Sequence, residues 1–252
     1  MSSSITIREI QFRNQTCYIT SDFYLEEEIF TKIISCPKFK NWFNSISENQ
    51  SLVLEEVHIF NVHMFGPNVG FINFSCKIKN TTTNKTYSSI IFCRGDSIAV
   101  LVVLICNGRK YLLLTKQPRF AVAEFRCVEI CAGMIDATDN SCKVRALTEL
   151  KEETGIEVDL SKLIDLTEWA GIPNGFMMSP GGCDEKIKMY CVEHEVTLSE
   201  MSKLQNKKTG VETEDIILDV ISFKDKNKFS DAKLHLAYNL YVQWSNSTKD
   251  KK

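Results

Sequence analysis

The stretch Ala146 to Ile156, ALTELKEETGI, sets Glu149, Glu152 and Glu153 at i, i+3 and i+4 of a segment with helical apolar spacing that ends at Gly155. Residues so spaced share one helix face, and like charges there repel one another. Such a row is ordinarily a solvated face. Here the run just upstream, EICAGMID, argues for another use: an apolar strand feeds a glycine bend, so the helix folds back and can aim its acids at the strand's exposed carbonyls. Oxygen ligands of this kind suit a hard divalent cation such as Mg²⁺, which keeps substrate phosphates in its remaining positions. A bound cation turns the repulsion into attraction.

The elements that must position these acids follow from pattern. Residues 97–117 read as a hairpin turning at Asn107-Gly108. A strand-like run leads to Gly133, and the helix 141–154 closes on Gly155. Downstream the spacing predicts a strand at 163–169, a Pro/Gly loop at 172–183 and a strand at 186–194. A short helix at 198–205, a polar loop at 206–215, an apolar strand at 216–223 and a final helix at 231–244 complete the series. Upstream, 26–46 has helical spacing broken at Pro37, hence two helices. Residues 51–93 alternate apolar and polar, with turns at Gly66-Pro67 and NTTTNKT, hence three antiparallel strands. The expected organisation is a helical and β-rich unit at 1–95, a catalytic domain at 96–245 with a mixed sheet between helices, and a disordered tail at 246–252.

Composition bounds the function. With 252 residues, 44% hydrophobic, the chain suits one large domain or a catalytic domain with an extension, and a formal charge of −2 argues against a polyanion-binding surface. The ten cysteines form no CxxC pair and the four histidines no ligand spacing, which points to free thiols in a reducing compartment and to no zinc site. The N-terminus has no apolar core for export, and the longest apolar run, Ile98 to Cys106, is half a membrane span. The expectation is a cytoplasmic protein with no membrane or nucleic-acid partner.

The segment GMIDATDNSCKVRALTELKEETGI resembles the signature of the Nudix hydrolases. The resemblance implies a Nudix α/β/α sandwich with a mixed sheet, plus a smaller N-terminal β-rich domain. It makes Gly133 the opening of the motif, Glu149, Glu152 and Glu153 its metal ligands, and the main-chain carbonyl of Ala132 a further ligand, with Mg²⁺ as cofactor and Mn²⁺ as a substitute. Thr148 stands where the family has arginine, and the loop is one residue longer, leaving Asp139 or Asn140 at the early acid position. Arg145, four residues before Glu149, is placed to orient that glutamate instead. Outside the motif the chain is similar to the ADP-ribose pyrophosphatase and plant-type ADP-sugar diphosphatase branch, through CVEICAGMID, TKQPRF, SPGGCDEK and ETEDI. This likeness implies nucleotide contacts for Gln117 and Arg119, a substrate role for Glu129, and a homodimer joined through the N-terminal unit.

A diphosphate repels an incoming nucleophile, so its cleavage needs charge neutralisation, positioning and an activated water. Glu212 and Glu214, on the polar loop, are candidates to take the water's proton, Glu212 as the base and Glu214 as its assistant or metal partner, with Glu152 of the helix also counted among the catalytic residues. In SPGGCDE the tight turns at Gly181 and Gly182 offer N–H groups to a phosphate or ribose, and Glu185 could bind a sugar hydroxyl. The expected reaction is Mg²⁺-dependent hydrolysis of ADP-ribose or ADP-glucose to AMP and a sugar phosphate. A catalytically weak nucleotide-sugar sensor and a UDP-sugar pyrophosphatase are the alternatives.

Overall fold

A computed structural model describes residues 6–12, 15–135, 139, 141–212 and 214–249. The chain divides into two compact units, one of Met1–Asp96 with Met177–Lys186, the other of Ser97–Phe176 with Ile187–Lys252.

The first unit holds β1 (Thr6–Phe12), β2 (Gln15–Ser21), α1 (Glu27–Ser35), α2 (Pro37–Glu48), β3 (Leu52–Phe65), β4 (Asn68–Asn80) and β5 (Lys85–Cys93). Pro37 starts α2, where the missing N–H costs nothing, and so divides the two helices as expected. The strands form one sheet in the order β1-β2-β3-β4-β5, with β2 parallel to β3 and the other pairs antiparallel. The helices cover one sheet face: Ile33, Phe39 and Phe43 are buried with Val57, Ile59, Ile72 and Phe74, and Phe39 meets Phe74 edge-on with ring centroids 5.6 Å apart. The meander β3-β4-β5 matches the expected strands. The hairpin β1-β2 was not foreseen, because its place depends on pairing with β3 more than thirty positions on.

A single boundary near residue 95 proves too simple, since 177–186 folds with the first unit. The reason is Asp184. Its carboxylate accepts the N–H of Arg94 at 2.8 Å and of Gly95 at 3.2 Å, and the Cys93 thiol at 3.3 Å. The Phe92 N–H donates to the Gly182 carbonyl at 2.8 Å, and Lys186 N–H to Asp96 at 3.1 Å.

The second unit is built from β6 (Ser97–Cys106), β7 (Arg109–Arg119), β8 (Glu124–Glu129), β9 (Cys131–Met134), α3 (Cys142–Thr154), β10 (Ile164–Asp165), α4 (Leu166–Trp169), β11 (Phe176–Met177), β12 (Lys186–Glu195), α5 (Leu198–Leu204), β13 (Lys208–Thr209), β14 (Ile216–Ser222) and α6 (Ala232–Lys249). The sheet runs β10-β12-β6-β7-β14-β13, with β8 beside β7, β9 beside β6 and β11 beside β12. Strand β12 is parallel to β6 while β7, β9 and β14 pair antiparallel, so the sheet is mixed. Nearly every residue of β6 is buried, as a central strand between two helical layers must be. One β6 face (Ile98, Val100, Val102, Leu104) packs on Ala146 and Leu150 of α3, and α6 packs on the strand as well. This is the α/β/α sandwich with a separate β-rich unit.

Two local expectations change. Only Ile164–Asp165 of the stretch 163–169 is strand. Asp165 turns its carboxylate to the Glu168 N–H at 2.9 Å and starts the short helix α4, an N-cap winning over a weak strand pattern. The last helix continues to Lys249 rather than ending at 244, while 250–252 of the expected tail lie outside the described residues. Among the described residues no helix is long and apolar enough to cross a membrane, and all ten cysteines are free.

Candidate active site

Strand β9 pairs with β6 through Ile98–Gly133 and Val100–Cys131, which turns Cys131 and Gly133 to the face that α3 covers. Helix α3 is set by its ends. The Ser141 hydroxyl accepts the Val144 N–H, and Gly155 closes the helix in the left-handed region at φ 74°. Between these caps Glu149 and Glu153 are buried, 7% and 3% exposed, beside the apolar Ala146 and Leu150.

What brings two acids inside is the main chain of β9. A β-carbon on Gly133 would lie 1.8 Å from Glu149 Oε1, so only glycine leaves room for that carboxylate. Glu153 Oε2 accepts the Ala132 N–H at 3.2 Å. Arg145 forms an ion pair with Glu149 along one helix face, the orienting contact expected from its spacing. Thr148 instead points its hydroxyl back to the Val144 carbonyl at 3.2 Å and takes no part. Burial and the nearby charges of Glu149 and Glu214 push the Glu153 carboxyl up to about 8, against the Cys131 thiol and the Ala132 N–H. Burial also raises Glu149, with Glu152 and Glu214 adding to it and Arg145 opposing. Glu152 stays exposed on the same helix.

The last turn of α3 holds the polar loop. Its terminal carbonyls lack helical partners; the Glu153 carbonyl accepts the Thr209 hydroxyl at 2.5 Å and the Glu152 carbonyl accepts the Gly210 N–H at 3.1 Å. On that loop Glu214 folds back, its Oε2 accepting the Val211 N–H at 3.2 Å, with its charge felt by both buried glutamates. Glu212 stands exposed in the turn.

The second wall is β7 and β8. Alternation places Thr115, Gln117 and Arg119 on one face of β7, and the register sets Glu129 opposite Thr115 and Cys127 opposite Gln117 on that same face. Arg119 donates Nε and Nη2 to Glu129 Oε2 at 3.0 and 2.8 Å, and its charge also meets that of Glu153. These two cationic neighbours, Arg119 and Lys233, hold Glu129 below the usual carboxylate range against its burial. Gln117 is 7% exposed, and its Nε2 has no hydrogen-bond partner among the described residues, so a buried donor awaits an acceptor.

Gly181, Gly182 and Glu185 belong to the other unit, where Gly182 bonds Phe92 and Glu185 faces Arg94 at 3.6 Å. Asp139 is partly buried, and Asn140 lies outside the described residues. Among the described residues no three His, Cys, Asp or Glu side chains converge as a ready metal cage; Glu149 is drawn to Arg145 and Glu153 to the Ala132 N–H. Sequence reasoning missed Thr209, Asp231 and Lys233. Only Asp231 carried a local signal, an acid directly before a helix.

The NUDIX domain profile matches residues 96–233. Over 239 residues, 90% of this chain and 77% of the relative, the sequence is 29% identical to Nudix hydrolase 14, chloroplastic, of Arabidopsis thaliana. It is 30% identical over 132 residues, 50% of this chain and 58% of the relative, to a GDP-mannose pyrophosphatase of Pectobacterium atrosepticum. The fold is similar to the crystal structure of an ADP compounds hydrolase, with a TM-score of 0.52 at 18% identity, covering 77% of this chain and 97% of that one.

Proposed function

The chain belongs to the NUDIX domain family, and from that premise we propose that this hydrolase splits the pyrophosphate bond of ADP-sugars, ADP-ribose and ADP-glucose foremost, into AMP and a sugar phosphate with Mg²⁺. The observation that carries the reading is a charge imbalance. Arg119, Arg145 and Lys233 pair with Glu129, Glu149 and Asp231, while Glu152, Glu153 and Glu214 bring three further carboxyl groups to the site. Such a site repels a diphosphate unless divalent cations enter with it.

The donor set fits a hard cation, since its candidate ligands are all oxygen: the carboxylates of Glu149, Glu152 and Glu153 and the carbonyl of Ala132. Mg²⁺ bound there would neutralise the diphosphate and acidify water, with Mn²⁺ as a substitute. The chain's own residues do the rest. Arg119, steadied by Glu129, offers its remaining N–H donors to a phosphate. Gln117 supplies its buried amide N–H. Glu214 takes the proton of the attacking water, with Glu212 able to approach from the same loop.

The free thiols agree with a reducing compartment, and the reading places the enzyme in the cytoplasm as a homodimer paired through its N-terminal unit. The relatives named above include one chloroplastic protein and one GDP-mannose enzyme, so the substrate test is a panel. ADP-ribose, ADP-glucose, UDP-glucose and GDP-mannose are each incubated with Mg²⁺ and the products separated by chromatography. AMP release fastest from the ADP-sugars supports the proposal; absence of any nucleoside monophosphate refutes it.

A further inference from the structure

The start of the last helix carries two charged groups that the reading above leaves without a task. Asp231, directly before α6, keeps 4% of its side chain exposed and uses both carboxylate oxygens. Its Oδ2 accepts the Leu234 N–H at 3.3 Å and the Ile130 N–H at 3.2 Å, while Oδ1 accepts the Lys233 N–H at 3.0 Å and Lys233 Nζ at 2.9 Å. Ile130 is the link between Glu129 and the Cys131-Ala132 segment, so one carboxylate ties the helix to the junction of β8 and β9.

Held in this way, Lys233 Nζ stands 3.6 Å from Glu129 Oε1, while Arg119 donates Nε and Nη2 to the other oxygen, Oε2. The Glu129 side chain is only 10% exposed, so water does little to screen it; its Oε1 also accepts the Cys127 thiol at 3.7 Å, a weak donor, and the two cations supply the charge that orients its oxygens. With Lys233 and the Cys127 thiol on the Oε1 side, Oε2 is turned toward the strand position from which Arg119 reaches it. An arginine bonded through both Nε and Nη2 loses its freedom to swing and presents its remaining donors in one direction.

We propose that Lys233, set by Asp231, is a positioning residue for Arg119: it occupies one oxygen of Glu129 so that the other aims the Arg119 guanidinium at an anionic group of the substrate. The identity of that group as a phosphate rests on the proposed diphosphate chemistry; the bracing of Arg119 does not.

Two measurements on the full chain test this. In ¹⁵N NMR the Arg119 Nε–H, donated to Glu129, gives a resonance assigned by its loss in Arg119→Ala. Lys233→Met should shift or broaden it, and Lys233→Arg should return it. In kinetics with ADP-ribose and Mg²⁺, Lys233→Met should raise KM about tenfold with kcat much less affected, and Lys233→Arg should restore KM. In the Arg119→Ala background the Lys233→Met change should add nothing, because the two act as one unit. Multiplying effects in the double variant, or an unmoved Nε–H signal, overturn the proposal. Should Lys233→Met not fold, Lys233→Gln carries the same expectations. A wild-type protein that hydrolyses no nucleotide sugar would end the functional reading, and the Nε–H measurement would still decide the role of Lys233.

Discussion

Replacing Glu153 by Gln separates what the carboxylate does for folding from what it does for chemistry. Its ordinary value of 4.5 is pushed up to about 8 by burial, chiefly, and by the charges of Glu149 and Glu214. Between those values the folded protein retains a proton that the unfolded chain releases. The group's contribution to stability is therefore complete below about 4.5 and is lost as pH rises through about 8. The slope is at most about 1.4 kcal/mol per pH unit, so about 3 kcal/mol disappears between about pH 5 and about pH 7. Gln at this position keeps an oxygen to accept the Ala132 N–H but has no proton to lose. In chelator, urea unfolding should give equal stabilities near pH 5 and a variant more stable by about 3 kcal/mol near pH 7. Turnover of ADP-ribose by the same variant should fall by several powers of ten, because a proposed cation ligand is gone. Parallel stability–pH curves for the two proteins would refute the buried-carboxylate reasoning, and near-normal turnover would refute the metal assignment.

Three further outcomes follow from the same geometry. Gly133→Ala drives a methyl group into the Glu149 carboxylate and should cost about 1–3 kcal/mol in thermal unfolding, with loss of turnover. Arg145→Ala removes the guanidinium beside the buried Glu149; calorimetric Mg²⁺ titration and turnover should both weaken, and Arg145→Lys should recover part of each, whereas unchanged values would remove Arg145 from its orienting role. In the first unit, Asp184→Ala strips the acceptor from the Arg94 and Gly95 amides, so the unit should lose about 1–3 kcal/mol and both amides should exchange hydrogen faster by NMR.

Much of the molecule was readable where the cause is local. The bounds of α3 follow from Ser141 and Gly155, the break at Pro37 from a missing N–H, and the β6-β7 turn from Asn107-Gly108. The pairing of Arg145 with Glu149 was visible as a spacing of four. Where two local signals competed the reading failed, as at Asp165, whose capping side chain turned an expected strand into helix α4.

The sequence by itself determined that three glutamates line one helix ending at a glycine, that a glycine precedes them on a strand, and that acids wait on a polar loop. Tertiary structure alone decided that Gly133 opens the gap Glu149 fills, and that Glu214 turns its carboxylate back to the Val211 N–H. It also decided that 177–186 folds with the first unit, and that Asp231 reaches Ile130 across 101 positions. The division has one physical reason. Caps, turns and helix faces are set within a few residues by backbone geometry, whereas a buried charge finds its partner only after sheet pairing has brought distant strands to the same face.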